Sequence, residues 1–278
     1  MEVKYSLDHA MILVNDVCLA AADYAGLGFK ISEGGRLGNG GLQNAVVLFP
    51  DGSHLELLGF RRRWLLPGLQ LLKRVGLLSL ILRRRSSIVR RIMLKAAASK
   101  GLLDFFVSSG SIEDDVEQAR RRGLRLERPL PFSEVLSDGQ EISWLLASPH
   151  ALDVPVIIEH SMQMPGGEHH PNGVEGVAGV TVAVTDLDAS VARYKQLLGF
   201  DPSEGASALS EARTVDFPFG PPTITLATPD GKSDSLRGHL ARSGEGPYAL
   251  RLRTAKSGRV GMLDPARTHG ARLELVPE

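Results

Sequence analysis

Leu7-Asp8-His9-Ala10-Met11-Ile12-Leu13-Val14-Asn15-Asp16 opens a unit that runs on through an alanine-rich stretch and closes on Leu27-Gly28-Phe29. The same order returns from Val177: a valine- and alanine-rich run reaches Asp186, Leu187 to Tyr194 follows, and the unit closes on Leu198-Gly199-Phe200. Both read as strand, turn at an aspartate, helix, then glycine. The physical chemistry supports that order. Asp16 and Asp186 can each cap a following helix, and Gly28 and Gly199 can take the left-handed conformation that ends one. Ala45–Phe49 and His54–Leu58 flank Pro50-Asp51-Gly52-Ser53, a strand–turn–strand signal. Thr223–Ala227 followed by Pro229-Asp230-Gly231 reads as its counterpart in the later copy.

Two further copies are more diverged. Leu102–Ser108 reads as a strand and Ile112–Arg122 as a helix, acidic early and basic late as the helix dipole favours, with Gly123 ending it. Glu141–Ala147 and Val154–His160 complete that copy. A truncated last copy runs through Tyr248–Arg253, a helix-like Val260–Thr268, Gly270 and the strand Arg272–Val276. The expectation is an α+β fold of about four βαβββ-like units, the last truncated, paired into two domains because one open sheet cannot bury both faces. The expected boundaries are 1–162 (units 1–60 and 101–162, with an insertion at 61–100), a linker at 163–173, and 174–278.

With 43% apolar and 23% charged residues and 32 charges of each sign, the chain is globular in type and has no global field for nucleic acid or acidic membrane. A lone cysteine, Cys18, excludes an intrachain disulfide and a multi-thiolate zinc site, and its apolar neighbours suggest a buried thiol. The first residues read as a strand rather than a signal peptide, so a reducing, cytoplasmic setting is expected.

The segment 61–103 carries twelve basic residues and no acidic one, interleaved with leucines. Its longest apolar run, Val75–Leu82, is far short of the ~20 residues a transmembrane helix needs. Three readings stand: amphipathic helices covering the sheet with basic side chains in solvent, a lid or homodimer surface, or peripheral contact with an anionic membrane. Nucleic-acid binding lacks aromatics to interleave with the charges beyond Trp64. In the linker, His169 and His170 are adjacent loop histidines, poorly placed to chelate one ion, and read as loop and turn.

Chemistry is carried by His9 on a first strand and Glu56 on a fourth, 47 residues apart. Imidazole and carboxylate converging on one face suit a divalent metal such as Fe, Mn, Ni or Zn. His54 lies on the same strand face as Glu56 and offers a further ligand. Leu7-Asp8-His9, the Asp16 turn, Leu27-Gly28-Phe29 and Pro50-Asp51-Gly52 through Leu55-Glu56-Leu57 resemble a module of the vicinal oxygen chelate superfamily, the glyoxalase and extradiol dioxygenase fold. Leu102-Leu103-Asp104-Phe105, Pro155 to Glu159 and His170-Pro171-Asn172-Gly173 resemble its glyoxalase-like domain subgroup.

The resemblance covers 7–60 and 101–200 well and the last seventy residues loosely. It implies metal ligands at His9, Glu56 and Glu159, with Phe105 standing where a second-module ligand would be. Gly179 and Thr225 replace the third module's ligands, and the fourth offers Glu274 with Leu250. The implied activity is a metal-dependent lyase, isomerase or hydrolase on a small oxygenated or carbonyl compound, with Glu56 or Glu159 moving a proton. An extradiol dioxygenase is disfavoured because its two-histidine-one-carboxylate set is not evident. A metal-free binding protein sequestering a small molecule remains the alternative.

Overall fold

A computed structural model describes residues 5–37, 41–62, 64–98, 100–135, 141–162, 166–204, 212–218, 220, 222–231, 234–255 and 259–278. Arg63 of the basic run and residues 163–165 of the expected linker lie outside them. The first half runs β1 (Tyr5–Leu13), α1 (Val17–Gly26), β2 (Ser32–Leu37), β3 (Leu42–Leu48), β4 (His54–Phe60), α2 (Leu65–Arg74), α3 (Leu78–Leu82), α4 (Ser87–Ala96), β5 (Gly101–Ser109), α5 (Ile112–Arg121), β6 (Leu130–Val135), β7 (Glu141–Ala147) and β8 (Val156–His160). The second runs β9 (Val174–Ala183), α6 (Leu187–Leu198), β10 (Ser203–Glu204), β11 (Ala212–Pro218), β12 (Thr223–Pro229), α7 (Asp234–Ser243), β13 (Gly246–Thr254), β14 (Gly261–Met262) and β15 (Leu273–Pro277).

Each half forms one sheet, ordered β2-β3-β4-β1-β5-β8-β7-β6 in the first and β10-β11-β12-β9-β13-β15-β14 in the second. In both, the opening strands of two modules lie antiparallel at the centre, β1 against β5 and β9 against β13, each flanked by a parallel strand of its own module. The expected caps form: Asp16 accepts from the Cys18 and Leu19 amides, Asp186 from the Ala189 amide, and Gly28 and Gly199 hold φ of 88° and 81°. Asp16 turns Val17 inward and leaves Cys18 exposed, so the thiol is not in the core.

The two sheets share one apolar core, into which α1, α5 and α6 are packed. Symmetry-related tyrosines tie the halves: Tyr24 of α1 donates to the Thr268 carbonyl, and Tyr194 of α6 donates to the Asp153 carbonyl. Residues of the expected linker follow the same logic. His170 is wedged between Phe29 and Phe49 and accepts the Lys30 amide through Nδ1, while Asn172 caps Val174 and its amide donates to Gly28.

Three local expectations are corrected. Val260–Thr268 is no helix: Pro265 follows Asp264, and only a compact turn forms around the Asp264 carbonyl before Gly270. Pro229-Asp230-Gly231 closes no hairpin, because Thr223–Pro229 is the counterpart of β4 and leads into α7. The basic side chains of the insertion are not all in solvent. Arg91 and Lys95 are buried and both meet Asp104 of β5, at 2.5 and 2.8 Å from Arg91 and 2.8 Å from Lys95, and Arg91 also donates to the carbonyls of Ala151, Leu152 and Val154. That network fastens α4 to the sheet. Beside it, Leu66, Ile88, Ala96 and partly buried Leu69, Ile92 and Met93 pack on Met11, Leu13, Leu58, Phe60 and Phe106. The insertion is therefore a second apolar layer on the sheet's far face, turned away from the shared core.

Candidate metal centre

Strand alternation sorts the polar residues. Ala10, Ile12, Leu55 and Leu57 face the shared core, so His9, Met11, His54, Glu56 and Leu58 face the far side under the insertion. His9 is directly opposite His54 on β4 and opposite Phe106 on β5. Their rings form a cross-strand stack, His54 to His9 at 4.7 Å and His9 to Phe106 at 4.1 Å, nearly parallel in both cases. Glu56, one pair further along, places Oε2 3.8 Å from His9 Nε2 and accepts from Asn44 Nδ2 at 2.8 Å.

Asp8 would face away from His9 in a regular strand. The register of β1 against β5 shifts between Leu7 and His9, which leaves Asp8 in a bulge and brings both side chains together. Its carboxylate is 2.6 Å from His9 Nδ1 and 2.9 Å from His160 Nε2. Asp8 thus bridges a buried and a half-buried imidazole, and fixes His9 with Nε2 directed at Glu56.

The electrostatics follow. Burial alone would raise the Asp8 carboxyl, but hydrogen bonds from His160 and His9 hold it well below the usual carboxylate range. Burial likewise opposes charge on His9, yet the hydrogen bond and charge of Asp8, with Glu56 behind them, raise it above the ordinary imidazole value. His54 is pushed down to about 3 by burial and by the neighbouring charge of His9. It is neutral near pH 7, and among the described residues its buried Nδ1 meets no hydrogen-bond partner.

The structure brings together His9, Glu56 and His54. It does not bring Glu159 to them. Glu159 points to the shared-core side and its carboxylate accepts the Ile112 amide at 2.5 Å, capping α5. The β8 residue on the cluster's face is His160. Phe105 also faces the shared core, and the position in register with His9 belongs to Phe106. In the second half, Gly179 stands opposite Arg251, whose guanidinium occupies the space a side chain at 179 would need. Thr225 donates to Asp216 at 2.6 Å, and Glu274 is in register with Arg251. On the same sheet α7 lays Leu236 on Ala183, Ala227 and Tyr248.

Asp8, His9 and His54 each offer one ligand atom within 4.8 Å of the others. Two imidazoles, a nearby carboxylate and an unpartnered buried nitrogen are a donor set that fits a borderline divalent metal. The Asp8–His9 contact is the carboxylate–imidazole pairing that fixes a metal-binding histidine's tautomer and orientation. A separate cleft of about 290 Å³ lies beyond the far ends of β1 and β4, lined by Val14, Asn15, Phe60, Leu66, Pro67, Gln70 and Lys100, and shares none of these residues.

Paired βαβββ modules with this central strand pairing define a protein of the vicinal oxygen chelate superfamily. Within it, the chain belongs to the glyoxalase-like domain family, whose profile matches residues 7–206. A search of curated protein sequences finds no match. Among solved structures, a hypothetical protein from Staphylococcus aureus is similar at 14% identity, covering 99% of this chain and 100% of that one with a TM-score of 0.68. A mutant of 4-hydroxymandelate synthase from Streptomyces coelicolor is similar at 12% identity, covering 95% of this chain and 78% of that one with a TM-score of 0.60. Methylmalonyl-CoA epimerase from Mycobacterium tuberculosis matches 38% of this chain and 89% of that one at 22% identity, with a TM-score of 0.33. The first two likenesses carry the fold.

Proposed function

We propose that the chain is a divalent-metal-dependent lyase, isomerase or hydrolase acting on a small oxygenated or carbonyl compound, with its centre in the first half. The observation that supports this most is the in-register His9–His54 stack beside Glu56, with Asp8 orienting His9 from behind. His9 Nε2, His54 and Glu56 are the groups that would hold the metal. A bound divalent ion would polarise a substrate carbonyl or hydroxyl as a Lewis acid. Where His9 and His54 hold the ion without it, Glu56 can instead take a proton from carbon beside that oxygen through Oε2, its Oε1 being held by Asn44. His160, the cluster's more exposed imidazole, shares the Asp8 carboxylate with His9 and steadies it in place. The apolar layer of α2 and α4 excludes water from the face that carries the centre.

That layer also favours one second reading, a metal-free protein that encloses an apolar ligand between the sheet and the insertion. Metal analysis of the purified, reconstituted protein separates the two. The enzyme reading expects stoichiometric divalent metal and its loss in His9→Ala. Trace metal only, with ligand uptake unchanged in His9→Ala, would leave the binding protein.

A further inference from the structure

We propose that the tip formed by α2 and α3 docks the protein onto an anionic lipid surface. Both helices turn one side to the protein and leave the other bare. Leu78 and Leu82 of α3 are buried against Ala97, with Leu69, Leu72, Met93 and Leu94 around them. The outward side carries Trp64, Leu71 and Val75 at spacings of seven and four, one stripe along α2, and continues through Leu77, Leu80 and Ile81. These six are between 48% and 65% exposed, which is most of the large apolar exposure among the described residues. An apolar stripe of that extent exceeds the scattered exposure expected of a soluble surface.

The charges beside it choose the partner. Lys73 and Arg74 close α2, Arg83, Arg84 and Arg85 follow α3, and all five are exposed. No acidic side chain occurs anywhere between 57 and 103. A bare apolar strip bordered by cations matches a bilayer's two layers, with acyl chains under the apolar residues and anionic headgroups against the basic ones. A tryptophan at one end of the strip suits the headgroup boundary. A polyanion such as nucleic acid would satisfy the cations and leave the leucines in water. A second copy of this chain would bring cation against cation. Among the described residues no helix is long and apolar enough to cross a membrane, and the contact proposed is a superficial one. Pro67, on the exposed side of α2, also lines the cleft at Val14 and Phe60, so docking would bring that cleft close to the lipid surface.

The test is flotation of the full chain with phosphatidylcholine vesicles and with vesicles containing phosphatidylglycerol, with L80S/I81S and R83Q/R84Q/R85Q as variants. The pair and the triplet are both exposed, so circular dichroism should show both variants folded. The expected result is binding to the anionic vesicles only, weakened roughly tenfold or more by either variant and by raised salt. Binding that L80S/I81S leaves unchanged, or that soluble heparin matches, would show plain polyanion attraction and overturn the proposal. So would no binding at low salt, or a concentration-dependent dimer that either variant dissolves.

Discussion

Replacing Asp104 by Asn removes the carboxylate that Arg91 and Lys95 share under α4, while keeping its volume. All three side chains are at most 5% exposed. Breaking such a network from one side leaves buried charge uncompensated, which typically costs about 3–5 kcal/mol. Two features place the expected loss near the lower bound. Arg91 keeps the carbonyls of Ala151, Leu152 and Val154, and Lys95 can shed its proton. Burial and the charge of Arg91 already push the Lys95 ammonium down to about 8, and without Asp104 it falls further. A lysine whose folded value lies below its unfolded value binds fewer protons in the native state, so stability rises with pH across that window. The window opens near pH 8 in the parent and lower in Asp104→Asn. Urea denaturation should therefore show a loss of about 3 kcal/mol at pH 7, and a smaller gap at pH 9. A loss under about 1 kcal/mol, or a gap that widens with pH, would refute the reasoning that this network fastens the insertion.

Asp8→Asn should weaken divalent-metal binding by about 10–100-fold while His9 stays in place, because only the orienting partner is lost; metal titration at pH 7.5 checks it. Glu159→Gln should leave metal content untouched and cost about 1 kcal/mol through the start of α5, read by urea denaturation. His239, held to about 4 by burial and by Arg272 and Arg242, resists protonation in the native state. Stability should thus fall as pH drops from about 6.5 towards 4, and His239→Phe should flatten that fall in thermal melts.

The repeat was legible because its punctuation is chemical: aspartates that cap, glycines at positive φ, and a Pro-Asp-Gly turn between two strands. His9, His54 and Glu56 were legible through strand alternation, and the structure sets them on one face. Asp8 was not, since alternation puts neighbours on opposite faces and only the bulge brings it beside His9. The same bulged pairing sets Phe106, rather than Phe105, against His9. At β8 alternation separates Glu159 from His160, but no local signal says which faces the cluster; that is fixed by the parallel register with β5. Arg91 and Lys95 read as solvated charges because their partner, Asp104, lies on another element. Helix α7 left no trace in the reading because Pro229-Asp230-Gly231 resembled the hairpin turn of the first unit.

The central claim is that His9, His54 and Glu56 hold a metal. Cobalt(II) titration followed by visible absorption tests it most directly. The account predicts saturable ligand-field bands in the parent and in Glu159→Gln, and their loss in His9→Ala and His54→Ala. A spectrum of free aqueous cobalt in the parent, or bands that survive in His9→Ala, would contradict it.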